Sequence, residues 1–160
     1  MKRTLFAALM VVLSSLSCLA AEEACVRYEP AVVQLLGRVC LRTFPGPPNY
    51  ESIRKGDRAE RQALLELDQP ICVLADPKDG INSKDERDQR LVTLVHASST
   101  KLASYLGARV RVEGTLFHAH TAHHRTPILV EVSRITRLAR PGVGRVLPLG
   151  PRLRRCKTEV

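Results

Sequence analysis

The chain has 160 residues, of which 25 are Lys or Arg and 16 are Asp or Glu, and it contains no Trp. This length suits a single domain once a leader is removed. Seven basic residues and one acidic residue lie from Arg137 onward, so most of the formal charge of +9 belongs to the C-terminal tail. A nucleic-acid-binding domain carries its basic residues on the folded body. The charge distribution therefore argues against a nucleic-acid partner.

The N-terminus has the three parts of a secretory signal. Residues 1–20 give a basic start, an uncharged and largely apolar centre, and a small-residue exit at Ala20 and Ala21. The apolar stretch is shorter than the roughly 20 residues that span a bilayer. We therefore expect a signal peptide cleaved after Ala20 or Ala21 and an exported protein, most simply of the periplasm. Lipidation at Cys18 is the alternative, although Ser15 stands where a lipoprotein signal has Leu.

Cysteine usage supports disulfide formation in an exported protein. Cys25 and Cys72 flank segments that should pack together, so we predict a structural disulfide between them. Cys40 lies two residues from Arg38 and two from Arg42, on the same face of the predicted strand, so we predict that it faces outward. Full pairing of four cysteines allows three arrangements, and free thiols are the alternative. The four cysteines that remain after cleavage are Cys25, Cys40, Cys72 and Cys156.

Five segments alternate apolar and polar residues, which is typical of half-buried strands. Gly37 in the first segment predicts a bulge, and Pro70 in the second predicts a bend or an edge position. A short helix over residues 101–106 is expected between the third and fourth strands, because serines precede it and Gly107 follows it. The five predicted strands are residues 31–44, 63–75, 90–96, 108–117 and 128–135.

The order of three strands, one helix and two strands predicts a mainly β fold over residues 21–136. It favours a small five-stranded barrel of the oligonucleotide/oligosaccharide-binding (OB) type, with Gly37 and Gly114 at its corners. A β-sandwich or a split sheet with one helix is the alternative. Residues 137–160 are rich in Pro, Gly and Arg, so we predict a disordered basic tail. Such a tail could contact anionic phospholipid or lipopolysaccharide phosphates.

Several motifs carry a family resemblance. The run TFPGPPNYESI at residues 43–53 is followed by Gly56, Asp57 and Glu60, and residues 70–73, 114–119 and 123–128 add shorter matches. Together they resemble the bacterial family called domain of unknown function 4431, over about residues 24–135. The resemblance implies an exported bacterial protein. It supplies no catalytic residues, because the function of that family is not established.

The sharpest chemical signal is a group of four histidines in the loop between the fourth and fifth strands. On an extended backbone His118 and His120 project to the same side, roughly 6.5–7 Å apart, and a turn could add the other two. Neutral imidazoles suit Zn²⁺, Cu²⁺ or Ni²⁺, so a divalent-metal site is one hypothesis. A solvated histidine-rich hairpin and a pH-sensitive interface are the alternatives. The four candidate ligands are His118, His120, His123 and His124.

A hydrolase is the least favoured reading of the same stretch. The spacing of His118, His120 and His123 resembles the His-x-His-x-Asp-His motif of metallo-β-lactamase-like hydrolases. Ala122 stands where the motif has its aspartate, and the chain is too short for that fold. No complete set of acid, base and nucleophile replaces it. The sequence therefore favours a protein that is not an enzyme.

Two connecting loops, residues 45–60 and 118–126, should flank the same face of an OB-type barrel. The proline-rich run in the first loop is stiff, which lowers the ordering cost of binding, and Tyr50 offers an aromatic anchor. The alternative is that the proline-rich run is a turn that connects two strands and binds nothing. We predict a non-enzymatic periplasmic or cell-surface module that binds an envelope protein or a glycan, with a periplasmic metal-binding protein as the alternative. The predicted partner-binding residues are Phe44, Asn49, Tyr50, Asp57 and Arg125.

Overall fold

A computed structural model describes residues 25–95, 102–139 and 156. The predicted signal peptide and its cleavage site lie outside these residues, as does Cys18. So does most of the predicted tail, 137–160. In the part of the chain that is described, no helix is long and apolar enough to cross a membrane.

Six strands form one sheet, which confirms the mainly β prediction. Each of the five predicted strands matches one of β2 to β6 to within a few residues. Helical backbone is scarce: Leu102 and Ala103 are helical and lead into a turn that ends at Gly107, at the position of the predicted helix. A 3₁₀ turn spans Ile53–Lys55. The strands are β1 Val26–Arg27, β2 Val32–Pro45, β3 Ala59–Leu74, β4 Glu86–Val95, β5 Arg109–His118 and β6 Ile128–Arg137.

The pairings of the five long strands form a closed cycle. β2 lies between β3 and β5 and is antiparallel to both. β6 lies between β5 and β4, antiparallel to β5 and parallel to β4. β4 also pairs antiparallel with β3, which closes the cycle. The β3–β4 ladder shifts register between Glu66 and Ile71. Pro70, which has no N–H to donate, lies inside this irregularity, as predicted. The cycle encloses an aliphatic core whose fully buried members include Val39, Leu65, Val92, Val110, Val112, Leu116 and Val130.

Two glycines mark close approaches between neighbouring strands. The predicted bulge at Gly37 is wrong, because the ladder to β5 runs through it and the ladder to β3 begins at it, both without a register shift. A Cβ there would lie 2.3 Å from the carbonyl oxygen of Glu66, so the strand needs glycine for close packing. The irregularity in β5 falls instead between Glu113 and Gly114. A Cβ on Gly114 would lie 2.1 Å from the carbonyl oxygen of Glu131.

Two disulfides connect the described cysteines. The bridge between Cys25 and Cys72 is the one predicted, and its sequence separation of 47 residues gives it about 4 kcal/mol of stabilisation in the chain-entropy picture. The second joins Cys40 to Cys156. Cys40 lies outside the main core, on the outward face that was predicted, but it is 1 % exposed because it packs with Leu64 in a small apolar cluster. Cys40 points away from the main core, as its alternation requires, but this second cluster covers it.

The C-terminal boundary of the folded part also differs from the prediction. Arg137 was assigned to the tail, yet it is the last residue of β6 and pairs with Val110 of β5. Cys156, from the same predicted tail, is bonded to the sheet through Cys40. The tail is therefore attached to the body at both ends of residues 138–155.

Candidate functional site

Strand topology brings the two predicted binding loops together. Thr93 of β4 pairs with Leu64 of β3 on one side and with Leu129 of β6 on the other. The start of β3 and the start of β6 therefore lie on either side of one short stretch of β4. Because one loop leads into each of these strands, the loops meet at this end of the sheet. We call residues 42–62 together with residues 118–127 the joined loops.

His123 makes direct contacts between the joined loops. Its Nε2 lies 3.0 Å from the Tyr50 hydroxyl oxygen, and its Nδ1 lies 3.3 Å from Glu60 Oε2. Its backbone carbonyl accepts a hydrogen bond of 2.5 Å from Gln62 Nε2. The imidazole and the Tyr50 ring also pack edge to face, with centroids 5.2 Å apart. One exposed histidine thus connects β3, the first loop and the second loop.

Arg125 makes the second connection, and it is much more buried. Its side chain is 13 % exposed, and its Nη2 donates a hydrogen bond to the carbonyl oxygen of Pro45. The guanidinium carbon lies 5.1 Å from the Tyr50 ring centroid and 5.8 Å from that of Phe44. Arg42 lies 5.4 Å from the same Phe44 ring. Each such cation–π contact contributes about 0.5–1 kcal/mol at a partly exposed position. Cationic and aromatic groups therefore alternate across the surface.

Asp57 organises the first loop from within. Its carboxylate accepts backbone N–H groups of Ser52 at 2.7 Å, Glu51 at 2.8 Å and Asn49 at 2.9 Å. The hydrogen bond from Ser52, followed by that from Asn49, lowers the pKa of Asp57 below its usual range. These bonds hold Tyr50 at a φ of 60°, a conformation that L-residues rarely adopt. Asp57 is 4 % exposed, and its carboxylate shapes the loop from within. Direct contact of Asp57 with a partner stays a prediction.

The imidazole ring of His118 has different partners from those of the other three histidines, although its backbone carbonyl oxygen lies 3.1 Å from His120 Nδ1. Its Nε2 is 3.0 Å from Glu86 Oε1, its Nδ1 is 3.0 Å from the Ala119 carbonyl oxygen, and its backbone N–H donates to Asn82 Oδ1 at 2.8 Å. Glu86 and Asn82 are both buried. Both ring nitrogens of His118 are therefore engaged, and the residue connects β5 to the start of β4 and the loop before it.

His120 and His124 form a third, separate arrangement. Their rings pack edge to face with centroids 4.6 Å apart, against Phe117. The His120 backbone N–H donates to His124 Nδ1 at 3.1 Å, which requires an unprotonated nitrogen there. Burial, then the neighbouring His120 and His123, lower the pKa of His124 below the ordinary 6.5. All four histidines thus lie close in sequence but face three different environments.

The predicted four-histidine metal site does not come together. Within the ranges that are described, no three His, Cys, Asp or Glu side chains are placed to hold a metal ion. The expectation that His118 and His120 would share one ion assumed an extended backbone. In the structure the strand ends at His118, and the turn beyond it directs the rings apart.

Of the predicted partner-binding residues, four belong to one surface. Arg125 stacks on the rings of Phe44 and Tyr50, and Asn49, which is exposed, is the neighbour of Tyr50 in the chain. The sequence did not reveal Gln62 as a site residue. Its side chain donates a hydrogen bond to the backbone carbonyl of His123, which lies 61 residues later in the chain. No local pattern distinguishes this glutamine from other polar residues on an outward strand face, so only the pairing of distant segments reveals it.

Comparison with known proteins gives one finding. The model of the family described as Domain of unknown function (DUF4431) matches residues 89–136, less than a third of the chain. The motifs at 114–119 and 123–128 lie inside this match, whereas those at 43–53 and 70–73 lie outside it. No curated protein and no solved structure matches the chain. Residues 89–136 therefore carry the match to the DUF4431 family, which confirms the family that the sequence resembles.

Proposed function

We propose that this chain is a non-enzymatic binding module of the cell envelope, which binds an envelope protein or a glycan through the joined loops. The observation that carries the proposal is the direct contact between the two loops through His123 and Arg125. Two segments that connect different pairs of strands would not need to touch if they served only as turns. Their contact creates one continuous surface instead of two separate ones.

The proposed architecture is an OB-type barrel formed by β2 to β6. The cycle of strand pairings, with β4 and β6 parallel and every other neighbour antiparallel, supports it. In such barrels the loop between the first two strands and the loop between the last two flank the ligand-binding face. The joined loops occupy these two positions, which supports their assignment as the binding surface.

The preformed shape of the first loop also favours binding. A loop that must be ordered when a ligand arrives loses part of its binding free energy to that ordering. Here Asp57 holds three backbone N–H groups and Arg125 holds the Pro45 carbonyl, so contacts within the chain fix the shape of the loop. The side chains that would contact a ligand are therefore already supported.

Export to the periplasm is part of the proposal. It rests on the signal-like residues 1–20 and on the two disulfides, since disulfides persist mainly in oxidising compartments. A divalent-metal function has less support, because His118 is paired with Glu86 and the rings of His120 and His123 lie in different environments.

A capture experiment with matched variants tests the proposal. The oxidised mature chain, from residue 21, would be immobilised and exposed to envelope extract and to a glycan array. We expect the Tyr50→Ala/His123→Ala variant to lose at least about tenfold of the captured ligand, since both side chains belong to the joined loops. The control is Gln34→Ala/Ile81→Ala, which removes two exposed side chains elsewhere. Equal capture by both variants would contradict the proposed surface.

A further inference from the structure

Charge is distributed unevenly between the joined loops and the remaining body. The described residues contain 16 basic and 13 acidic side chains. The joined loops hold six of the basic and three of the acidic ones, and the rest of the described chain holds ten of each. The whole net positive charge of the described body therefore lies on the surface assigned to binding.

Four of these basic residues have no anionic partner. Arg54, Lys55, Arg58 and Arg61 are exposed, and none of them forms an ion pair or a side-chain hydrogen bond with another described residue. Five further cations also lack such a partner among the described residues, but they are spread over other elements: Arg27, Lys78, Arg87, Arg90 and Arg111. Arg109 and Arg134, on the sheet, pair with carboxylates. Unpaired cations gathered on one segment produce a positive potential that attracts and orients anionic ligands.

The negative charges of the joined loops do not cancel this potential. Asp57 is buried and its carboxylate is directed at backbone N–H groups. Glu60 is 27 % exposed and lies between His123 and Arg125. Glu51 is the one exposed carboxylate among the three. The exposed part of the surface is therefore more basic than its formal charges indicate.

The joined loops themselves expose little of the apolar surface that forms the centre of a stable protein–protein interface, although an apolar pocket lined by Leu94, Leu102 and Leu129 borders them. Such interfaces have an apolar, fully buried core surrounded by a polar rim. Ile53, at 45 % exposure, is the one large aliphatic side chain that the joined loops expose among the described residues. The other exposed large aliphatic side chains lie outside the joined loops: Val32 and Leu36 in β2, and Ile81 in the loop before β4. A flexible, hydrated polyanion fits this surface better than an apolar protein face.

We propose that the joined loops bind an acidic polysaccharide, with its carboxylates on the basic segment 54–61 and its hydroxyl groups on Glu60, His123 and Tyr50. This inference rests on the proposed function and narrows its ligand class. Guanidinium groups bind carboxylates through paired N–H donors. Glu60 accepts hydrogen bonds that sugar hydroxyls can donate and that a nucleic-acid phosphate cannot.

Polygalacturonate tests this ligand class, because it carries one carboxylate on each sugar. Its methyl-esterified form keeps the same backbone without the charge. We expect the oxidised mature chain to bind polygalacturonate, with affinity falling as salt rises, and to bind the ester at least about tenfold more weakly. The binding of poly-L-glutamate and of single-stranded DNA would be measured in parallel. We expect both to bind more weakly than polygalacturonate.

Two triple variants with equal charge change locate the binding surface. Arg54→Gln/Lys55→Gln/Arg58→Gln removes three cations from the joined loops, and Lys78→Gln/Arg87→Gln/Arg90→Gln removes three exposed cations elsewhere. We expect the first to weaken polygalacturonate binding about tenfold or more and the second to change it less than about twofold. Circular dichroism and melting temperature would confirm that both remain folded.

Three outcomes would overturn the inference. The first is an equal loss in both triple variants, since attraction would then come from net charge alone. The second is binding of poly-L-glutamate or DNA as tight as that of polygalacturonate. The third is no polygalacturonate binding at all. If the capture experiment still depends on Tyr50 and His123 in that last case, the binding surface stands and only its ligand class is wrong.

Discussion

The sheet and the joined loops are held together by different kinds of contact. In the sheet, backbone ladders surround an aliphatic core in which Val110, Val112 and Leu116 have no solvent exposure. In the joined loops, the contacts are hydrogen bonds and cation–π contacts that are partly exposed to solvent. The His123 side chain is 57 % exposed, and the Arg125 guanidinium stacks on aromatic rings. Apolar burial contributes a few kcal/mol for each core side chain, whereas an exposed polar contact contributes about 1 kcal/mol or less.

This difference separates stability from recognition. We expect the sheet to retain its fold when single loop contacts are lost, because each loop contact should be a small part of the total free energy of unfolding. The loop surface can therefore vary in chemistry without unfolding the body. Three substitutions test the separation, in decreasing order of expected effect.

The largest effect is expected from Leu116→Ala in the core. Leu116 is fully buried within β5, so its truncation removes apolar contacts and leaves a cavity. We expect the free energy of unfolding to fall by about 2–5 kcal/mol. Urea unfolding followed by circular dichroism measures it. A loss below about 1 kcal/mol would mean that the core does not carry the stability of this protein.

A smaller effect is expected from Tyr50→Phe in the joined loops. The change removes the hydroxyl that meets His123 Nε2 and keeps the ring under Arg125. We expect a loss of about 0.5 kcal/mol in unfolding free energy, because the contact is exposed. A double-mutant cycle with His123→Ala isolates the pair, and ring NMR signals of His123 report the loosened contact. A destabilisation as large as that of Leu116→Ala would break the separation between sheet and loops.

The smallest effect concerns pH and His124. Because its pKa is lowered in the folded state, the unfolded chain takes up the proton first as pH falls below 6.5. The contribution of neutral His124 to the free energy of unfolding is therefore fully present above pH 6.5. It decreases as pH falls below 6.5, until pH passes the lower pKa of the folded state. His124→Gln should flatten this part of the profile between pH 7.5 and 5.5, because it removes the group whose pKa differs between the two states. The measurement is the urea midpoint of the wild-type chain and of His124→Gln at pH 7.5 and at pH 5.5. The same change in midpoint for both proteins would contradict the prediction.

Much of the β architecture followed from local pattern. Alternation of apolar and polar residues located all five long strands, since a strand with one buried face must repeat every second residue. The missing N–H of Pro70 predicted the irregularity there, and the expected packing of the flanking segments identified both partners of the Cys25–Cys72 bridge. These features depend on residues close to one another in the chain, or on strands whose order was already evident.

The candidate site depended on contacts that no local pattern encodes. The proximity of four histidines in sequence predicted one cluster, but the turn after His118 sends their rings to three environments. The inward position of Asp57 requires the backbone of residues 49–52 to fold around it.

By itself, the sequence determined the positions of the long strands, one disulfide and the family resemblance, because alternation and motif are properties of neighbouring residues. The tertiary structure alone decided that Cys40 bonds to Cys156, that Gln62 supports His123, and that the two loops form one surface. Each of these contacts joins segments separated by more than 60 residues, and only the closed cycle of strand pairing sets their distance.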